Sequence, residues 1–182
     1  MAAYVGALGV SLATMVANLS SHKRGWDDRW EEFSDWAEKG QKIKEELVKL
    51  VDEDTNAFNA IMSAFRLPKG NDEEKAARSQ AIQDATKFAI ETPLKTMEVS
   101  LNSFEIVKAM ADIGNPNSVT DAGVGALCAR AAVHGAFLNV KINCGDFKDK
   151  KYVKEILAKA TKMTKEADKL EKEVMKIVNS KM

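Results

Sequence analysis

Two aspartates and a row of amides in "LVDEDTNAFNAIMSAFRLPK" (50–69) are the first residues here that could do chemistry. At helical spacing Leu47, Val51, Asp54, Phe58, Ile61 and Phe65 share one face, in steps of 4, 3, 4, 3 and 4. Five of them are large and apolar, and the third is a carboxylate. A carboxylate on a buried stripe must pair, coordinate, or have its pKa raised by desolvation. The last state is what a general acid or base needs. The same spacing admits a register drift that exposes Asp54, or a buried cap for a neighbouring helix. Beside it Asp52, Asn56, Asn59, Ser63 and Arg66 form a polar row of the same rhythm. That row is either an ordinary solvent face or, being rich in amides, part of a polar site. Arg66 and Lys69 flank the turn at its end and could receive an anionic group.

The second chemically loaded stretch is "NSVTDAGVGALCARAAVHGAFLNVKIN" (117–143). It has few large side chains and three internal glycines, each costing a helix about 1 kcal/mol relative to alanine. Small residues let helix axes approach closely, or leave room for a flat ligand. Ser118 and Asp121 have the spacing of a capping box, with Asp in place of Glu; a ligand role for Asp121 is the alternative. Asn139 and Asn143 form an amide pair one turn apart, while Asn143 could equally end the helix ahead of Gly145. His134 reads more readily as a packed or surface residue than as a catalyst. Along a straight helix Asp121 and Asn143 would stand ~33 Å apart, so one flat ring cannot touch both.

These residues need elements to hold them. Breaks at "SSHKRG" (20–25), "RLPKGND" (66–72), "IGNPNS" (113–118) and "NCGDFKDK" (143–150) leave five stretches: 2–20, 26–66, 71–113, 118–143 and 149–180. None alternates with period 2, and all are rich in Ala, Leu, Lys, Glu and Met, so all are expected to be helices. Short connections make neighbours antiparallel. The expected fold is all-α, an up-and-down bundle of about five long helices forming a single domain over residues 1–182. Pro93 is expected to kink the third helix near Thr92. In the last, Ile156, Met163, Leu170, Val174 and Ile177 form an apolar stripe and the charged remainder a solvated face.

Bulk composition narrows the function. The 182 residues hold 27 basic and 27 acidic side chains, which gives no electrostatic footprint for nucleic acid or an anionic membrane. Cys128, Cys144, His22 and His134 lack metal-ligand spacing, so no zinc site is expected. The two cysteines fit a reduced, cytoplasmic setting. Met1 to Ser21 carries no charge, yet Gly6, Gly9, Ser11, Thr14 and Asn18 interrupt it and no basic segment precedes it. It is read as a helix buried on all sides of a bundle rather than a membrane span or signal peptide.

Four stretches, in order, carry a family resemblance: "VGALGVSLATMVANL" (5–19), the 50–69 segment, "TPLKTMEVS" (92–100) and "GNPNSVTDAGVGALCARAAVHGAFLNVKIN" (114–143). Together they resemble the cyclodeaminase domain of formiminotransferase-cyclodeaminase and its relatives among methenyltetrahydrofolate cyclohydrolases. The resemblance implies a homodimeric helical domain that binds a tetrahydrofolate derivative in a groove, with the aspartates of "DEDTNAF" lining the active site. Family members carry a "PGGGS"-like turn before the first helix; this chain starts at "MAAYVGALG", where such a turn would have ended.

The reaction implied turns N5-formiminotetrahydrofolate into N5,N10-methenyltetrahydrofolate and ammonia, as part of one-carbon metabolism and histidine catabolism. Asp54 is then the acid/base. Asp52 and Asp121 hold pterin N–H donors, and Asn59, Asn139 and Asn143 add further substrate contacts. Arg66, Lys69 and Lys141 receive the glutamate tail. No metal or redox cofactor is expected beyond the folate itself. The expected partners are the tetrahydrofolate derivative, a second copy of the chain, and a formiminotransferase domain or subunit; nucleic acid and membrane are not. The cyclohydrolase, in which water attacks the methenyl carbon, is the nearest alternative. A helical module that binds folate or assembles oligomers without turnover is the alternative from a different class.

Overall fold

Good helix formers fill all five expected stretches, and the computed structural model, which describes residues 1–182, makes every one of them helical. Its elements are α1 (Ala2–Ser21), α2 (Trp30–Phe65), α3 (Asp72–Asn102), α4 (Phe104–Ile113), α5 (Val119–Asn143) and α6 (Lys150–Lys181), with no strand. The third stretch is divided into α3 and α4. Pro93 sits inside α3 without ending it, and the break falls at Ser103. There the Ser103 hydroxyl donates to the Ser100 carbonyl at 2.6 Å, a local bond that competes with the helical ladder.

Side chains close several helix ends. Asn71 accepts from the Glu74 amide at 2.8 Å, and the Glu74 carboxylate accepts from the Gly70 amide at 2.6 Å, starting α3. Asp149 accepts from the amides of Lys151 and Tyr152, both at 3.0 Å, starting α6.

α5 is the central helix, packed against α1, α3, α4 and α6, while α2 lies against α1 and α3. Val10, Leu47, Ile90, Met97, Ile106 and Val133 are fully buried between them. α1 and α5 run antiparallel with their backbones in contact. A Cβ added to Gly9 would stand 2.9 Å from the Gly125 carbonyl oxygen, and one added to Gly125 would stand 2.9 Å from that of Gly9. Close approach is therefore what the small residues achieve at this crossing, rather than room for a ligand.

Two expectations are corrected. The row predicted to be buried in α2 is only partly so: Leu47 is buried and Val51 half-buried, but Asp54 is exposed and Phe58 and Phe65 are 62% and 51% exposed. The buried row is instead Leu47, Leu50, Ala57 and Ala64. Alanines allow closer helix approach, so α2 turns them inward and leaves the phenylalanines out. α1 was expected to be buried on all sides, yet Tyr4, Leu8, Met15 and Leu19 are exposed. α1 sits at the margin of the bundle, covered by α2 and α5 but open on its remaining side. It and the segment 116–143 are long and apolar enough to cross a membrane, although about half of each lies inside the bundle. The α6 stripe follows its pattern, with Met163 and Val174 buried and Ile156, Leu170 and Ile177 half-buried.

Candidate active site

Where α2, α3 and α5 meet the start of α1, they enclose a small crevice. Asp54, Leu50 and Val51 of α2, Pro93 and Thr96 of α3, and Ala136 and Asn139 of α5 line it, with Met1, Ala2 and Ala3 across the end. Its volume is about 10 Å³, barely space for one water. Asp54 and Asn139, 85 positions apart in sequence, are both exposed at this crevice. Asp54 is thus a solvent-reachable carboxylate at a mouth, and its burial, inferred from the apolar row, does not hold. Thr96 is nearly fully buried, its hydroxyl turned back to the Thr92 carbonyl at 3.2 Å.

Asn143, expected to contact the ring, makes a bond across to α3 through its Nδ2. Pro93 lacks an N–H, so the Ala89 carbonyl, four residues earlier, loses its helical donor. Asn143 Nδ2 supplies that bond at 2.6 Å. The amide therefore ties the end of α5 to α3 beside the crevice. Asn139, one turn before it, makes only a long contact to the Gly135 carbonyl, 3.4 Å from its Nδ2.

Other expected site residues lie elsewhere. Asp121, half-buried in the first turn of α5, is ~27 Å along the helix from Asn139. Its expected capping box is not formed, because Ser118 makes no side-chain cap bond. Asp52 and Asn59 are exposed, and at two and five positions from Asp54 neither shares its helix face. The whole row from Asp52 to Arg66 is exposed, which is the solvent-face reading. The Lys141 ammonium lies 5.6 Å above the Phe137 ring, on a part of α5 turned away from Asn139.

Lys69 enters a second concavity of about 410 Å³ together with Lys75, Arg78, Ser79, Gln83 and Lys148. It holds four cations and no carboxylate, in a chain whose net charge is zero. Lys148 donates to Ser79 Oγ at 2.7 Å, and the Arg78 guanidinium caps the Phe65 carbonyl at 3.1 Å. Lys75 keeps an exposed pair with Asp72 at 2.9 Å. Arg66 is exposed at the α2 terminus. Sequence reasoning missed Lys75, Arg78 and Lys148, which come from separate segments, and also Pro93, Thr96 and Ala136 around Asp54. A larger hollow, about 520 Å³, lies between α1 and α2 and has no carboxylate on its walls.

The perturbed titrating groups concentrate at helix contacts. Asp168 on α6 accepts from His134 Nε2 at 2.8 Å and Arg130 Nε at 2.6 Å. The His134 bond, helped by Arg130, holds its carboxyl below the ordinary range. His134 is accordingly a link between α5 and α6. Burial, with Glu91 nearby, pushes the Tyr152 phenol up to about 12, and burial also raises the Cys144 thiol. No three His, Cys, Asp or Glu side chains gather in a way that could hold a metal ion.

A family model described as formiminotransferase-cyclodeaminase matches residues 1–162. The methenyltetrahydrofolate cyclohydrolase of Methylorubrum extorquens is 35% identical over 181 residues, covering 100% of this chain and 87% of that protein. The formimidoyltransferase-cyclodeaminase of Gallus gallus is 35% identical over 168 residues, 92% of this chain but 31% of that one. The chain thus spans about a third of that two-activity relative. The crystal structure of formiminotetrahydrofolate cyclodeaminase from Thermotoga maritima has the same fold, with a TM-score of 0.84 at 24% identity over 98% of this chain and 85% of that one. A match over nearly nine-tenths of the sequence, with the helical bundle to go with it, makes this chain a member of the formiminotransferase-cyclodeaminase family.

Proposed function

We propose that the chain is a folate-dependent cyclodeaminase, closing N5-formiminotetrahydrofolate to N5,N10-methenyltetrahydrofolate with release of ammonia. The observation that carries this is the convergence of Asp54 and Asn139 on one crevice, from two segments with family resemblance. N10 attacks the amidine carbon and loses a proton; the amino group then gains one and leaves as ammonia. Both transfers can run through one carboxylate, and a solvent-reachable Asp54 can exchange its proton between them. Holding N10 against the amidine is the orientation problem, met by fixed polar groups such as the Asn139 amide. No metal or redox cofactor takes part.

The crevice is too small for a pterin, whose ring system would lie over the mouth rather than inside. Eleven residues of α2 separate Asp54 from Phe65, ~17 Å of helix, and eleven of α3 separate Pro93 from Ile82. That is about the reach of the p-aminobenzoylglutamate arm, so the tail is assigned to the basic concavity that contains Lys69. Lys141 and Asp121 have no place in this pose. The enzyme is proposed to act in the cytoplasm as a homodimer, alongside a formiminotransferase.

One observation favours a second reading. The cyclohydrolase relative is matched along 87% of its length, the two-activity relative along 31%. Water attacking the methenyl carbon at the same crevice gives 10-formyltetrahydrofolate, with Asp54 as the base. Two assays on the purified chain decide: ammonia release from the formimino compound, and loss of methenyltetrahydrofolate absorbance. Ammonia release establishes the cyclodeaminase; hydrolysis without ammonia release replaces it with the cyclohydrolase; neither activity removes both.

A further inference from the structure

α1 covers only part of the apolar row on α2. Antiparallel to α2, it sets Gly6 against Leu47 and brings its first turn, Ala2 and Ala3, to the Asp54 crevice. Beyond Asp54 the same row continues through Phe58 and Ile61 to Phe65, ~17 Å further along the helix. Phe58 and Phe65 are 62% and 51% exposed there, and Met62 beside them is exposed too. A single exposed apolar residue is ordinary, but two phenylalanines on one open helix face are not. α3 follows the same path in the opposite direction, with Pro93 at the crevice and Arg78 at the Phe65 carbonyl. Between these contacts it holds the small, buried Ala85 and Ala89. The open row therefore joins two polar places. At one end stand the Asp54 carboxylate and the Asn139 amide; at the other, Lys69, Lys75, Arg78 and Lys148. A ligand that fits this order is hydrogen-bonding at one end, aromatic in the middle and anionic at the other.

We infer that Phe58 carries the p-aminobenzoyl ring of the folate and thereby sets the orientation of N10; this rests on the folate reading above. The ring is bonded directly to N10, and the proton of N10 is the one that Asp54 handles. The ring must then lie within about one helical turn of Asp54. Phe58 is the aromatic residue four positions on, ~6 Å along the same face. Phe65 stands about three turns away, with the Arg78 guanidinium 5.5 Å from its ring, and so belongs to the tail end. Offset stacking of two aromatic rings fixes the plane of one against the other. Because the N10 lone pair is conjugated with its ring, that plane also sets the direction from which N10 meets the amidine carbon. Phe58 is thus a binding residue for the ring and a positioning residue for N10.

Calorimetric titration of the full chain with 5-formyltetrahydrofolate tests this, beside steady-state rates. Phe58→Ala is expected to weaken binding about tenfold and to lower kcat as well as raise KM. Its urea midpoint should stay at the wild-type value, because the ring is exposed. Phe58→Tyr, which keeps the ring, is expected to retain wild-type affinity. Trp30→Ala, a similarly exposed aromatic at the far end of α2, is expected to change neither affinity nor rate. Wild-type affinity in Phe58→Ala overturns the ring site and leaves the folate reading standing. A wild type that binds no folate removes that reading and the ring site with it. A Phe58→Ala chain whose sedimentation coefficient departs from wild type makes the row a contact between proteins and overturns the proposal. Should Phe58→Ala fail to fold, p-aminobenzoylglutamate, which has the ring and tail without the pterin, is added to the wild type. Nuclear Overhauser effects between its ring protons and the Phe58 ring are then expected, and their absence overturns the site.

Discussion

The two ends of α5 carry the same kinds of small residue for different reasons. At Gly125 an added methyl would meet the Gly9 carbonyl oxygen at 2.9 Å, and backbone cannot step aside. At Gly135 it would meet only the Ala2 Cβ, at an ordinary 3.5 Å. The first glycine is demanded by packing and the second is not. Around Gly135 lie Ala136, Asn139 and Asn143, the residues that shape the crevice or brace it. One helix thus divides into a seam that holds the bundle together and an end that borders the crevice.

The largest effect that separates the two ends belongs to Asp54. Exposed and without a structural partner, it should be replaceable by Asn with a stability change within about 0.5 kcal/mol. Turnover should fall by about 10²–10⁴-fold, the usual worth of a general acid–base group. Parallel denaturant curves and steady-state rates measure both, and unchanged turnover would remove Asp54 from the mechanism. At the seam the pattern reverses. Gly125→Val should cost about 3 kcal/mol or more, because the clash outweighs any gain in helix propensity. A urea midpoint close to wild type would show that α1 and α5 can separate without loss.

The bracing pair gives a sharper test. Asn143→Ala leaves the buried Ala89 carbonyl without a donor, at a cost of about 1–2 kcal/mol. Pro93→Ala restores the helical N–H, so Asn143→Ala should cost almost nothing in that background. A double-mutant cycle reads this directly. Additive costs would mean that Asn143 stabilises α5 in some other way. A Gly135→Ala substitution should raise stability by up to about 1 kcal/mol, through helix propensity alone. If it does so and also suppresses turnover, the space above Gly135 is used by substrate or by a second copy.

Much of the fold was legible because helix-forming composition and turn residues act locally. Pro68, Pro116 and the glycine- and asparagine-containing breaks mark the ends of the long helices to within a few residues, apart from the C-terminal end of α3. The division at Ser103 left no such mark: no proline or glycine stands there, and its local feature is the Ser103 hydroxyl bond to the Ser100 carbonyl. Which face of α2 is buried was misread for a different reason. Periodicity weights Phe58 and Phe65 as core residues, whereas close packing selects Ala57 and Ala64. Asp54 was singled out by an argument from burial that fails, although the residue does stand at the crevice. The partnership of Asn143 with Ala89 needs two helices and a proline 50 positions away, and no single segment announces it. The four-cation concavity is likewise a product of the tertiary fold.

The smallest effect concerns the middle of α5, where His134 and Arg130 meet Asp168. The folded state holds this carboxyl below the ordinary value of 3.8, first through the His134 hydrogen bond and then through Arg130. A depressed carboxyl stabilises the fold at pH values above its unfolded pKa, and that contribution is lost as pH falls through the lowered folded value. The pair is more than a third exposed, so solvent screening limits its worth to a few tenths of a kcal/mol. Asp168→Asn should therefore lower stability slightly at neutral pH, with the difference from wild type fading only below about pH 3.8. Urea midpoints for both proteins across that range test it. A difference that persists fully in acid would mean that Asp168 contributes through packing or a neutral hydrogen bond. In that case the α5–α6 link would depend on shape rather than charge, as the Gly9–Gly125 seam does.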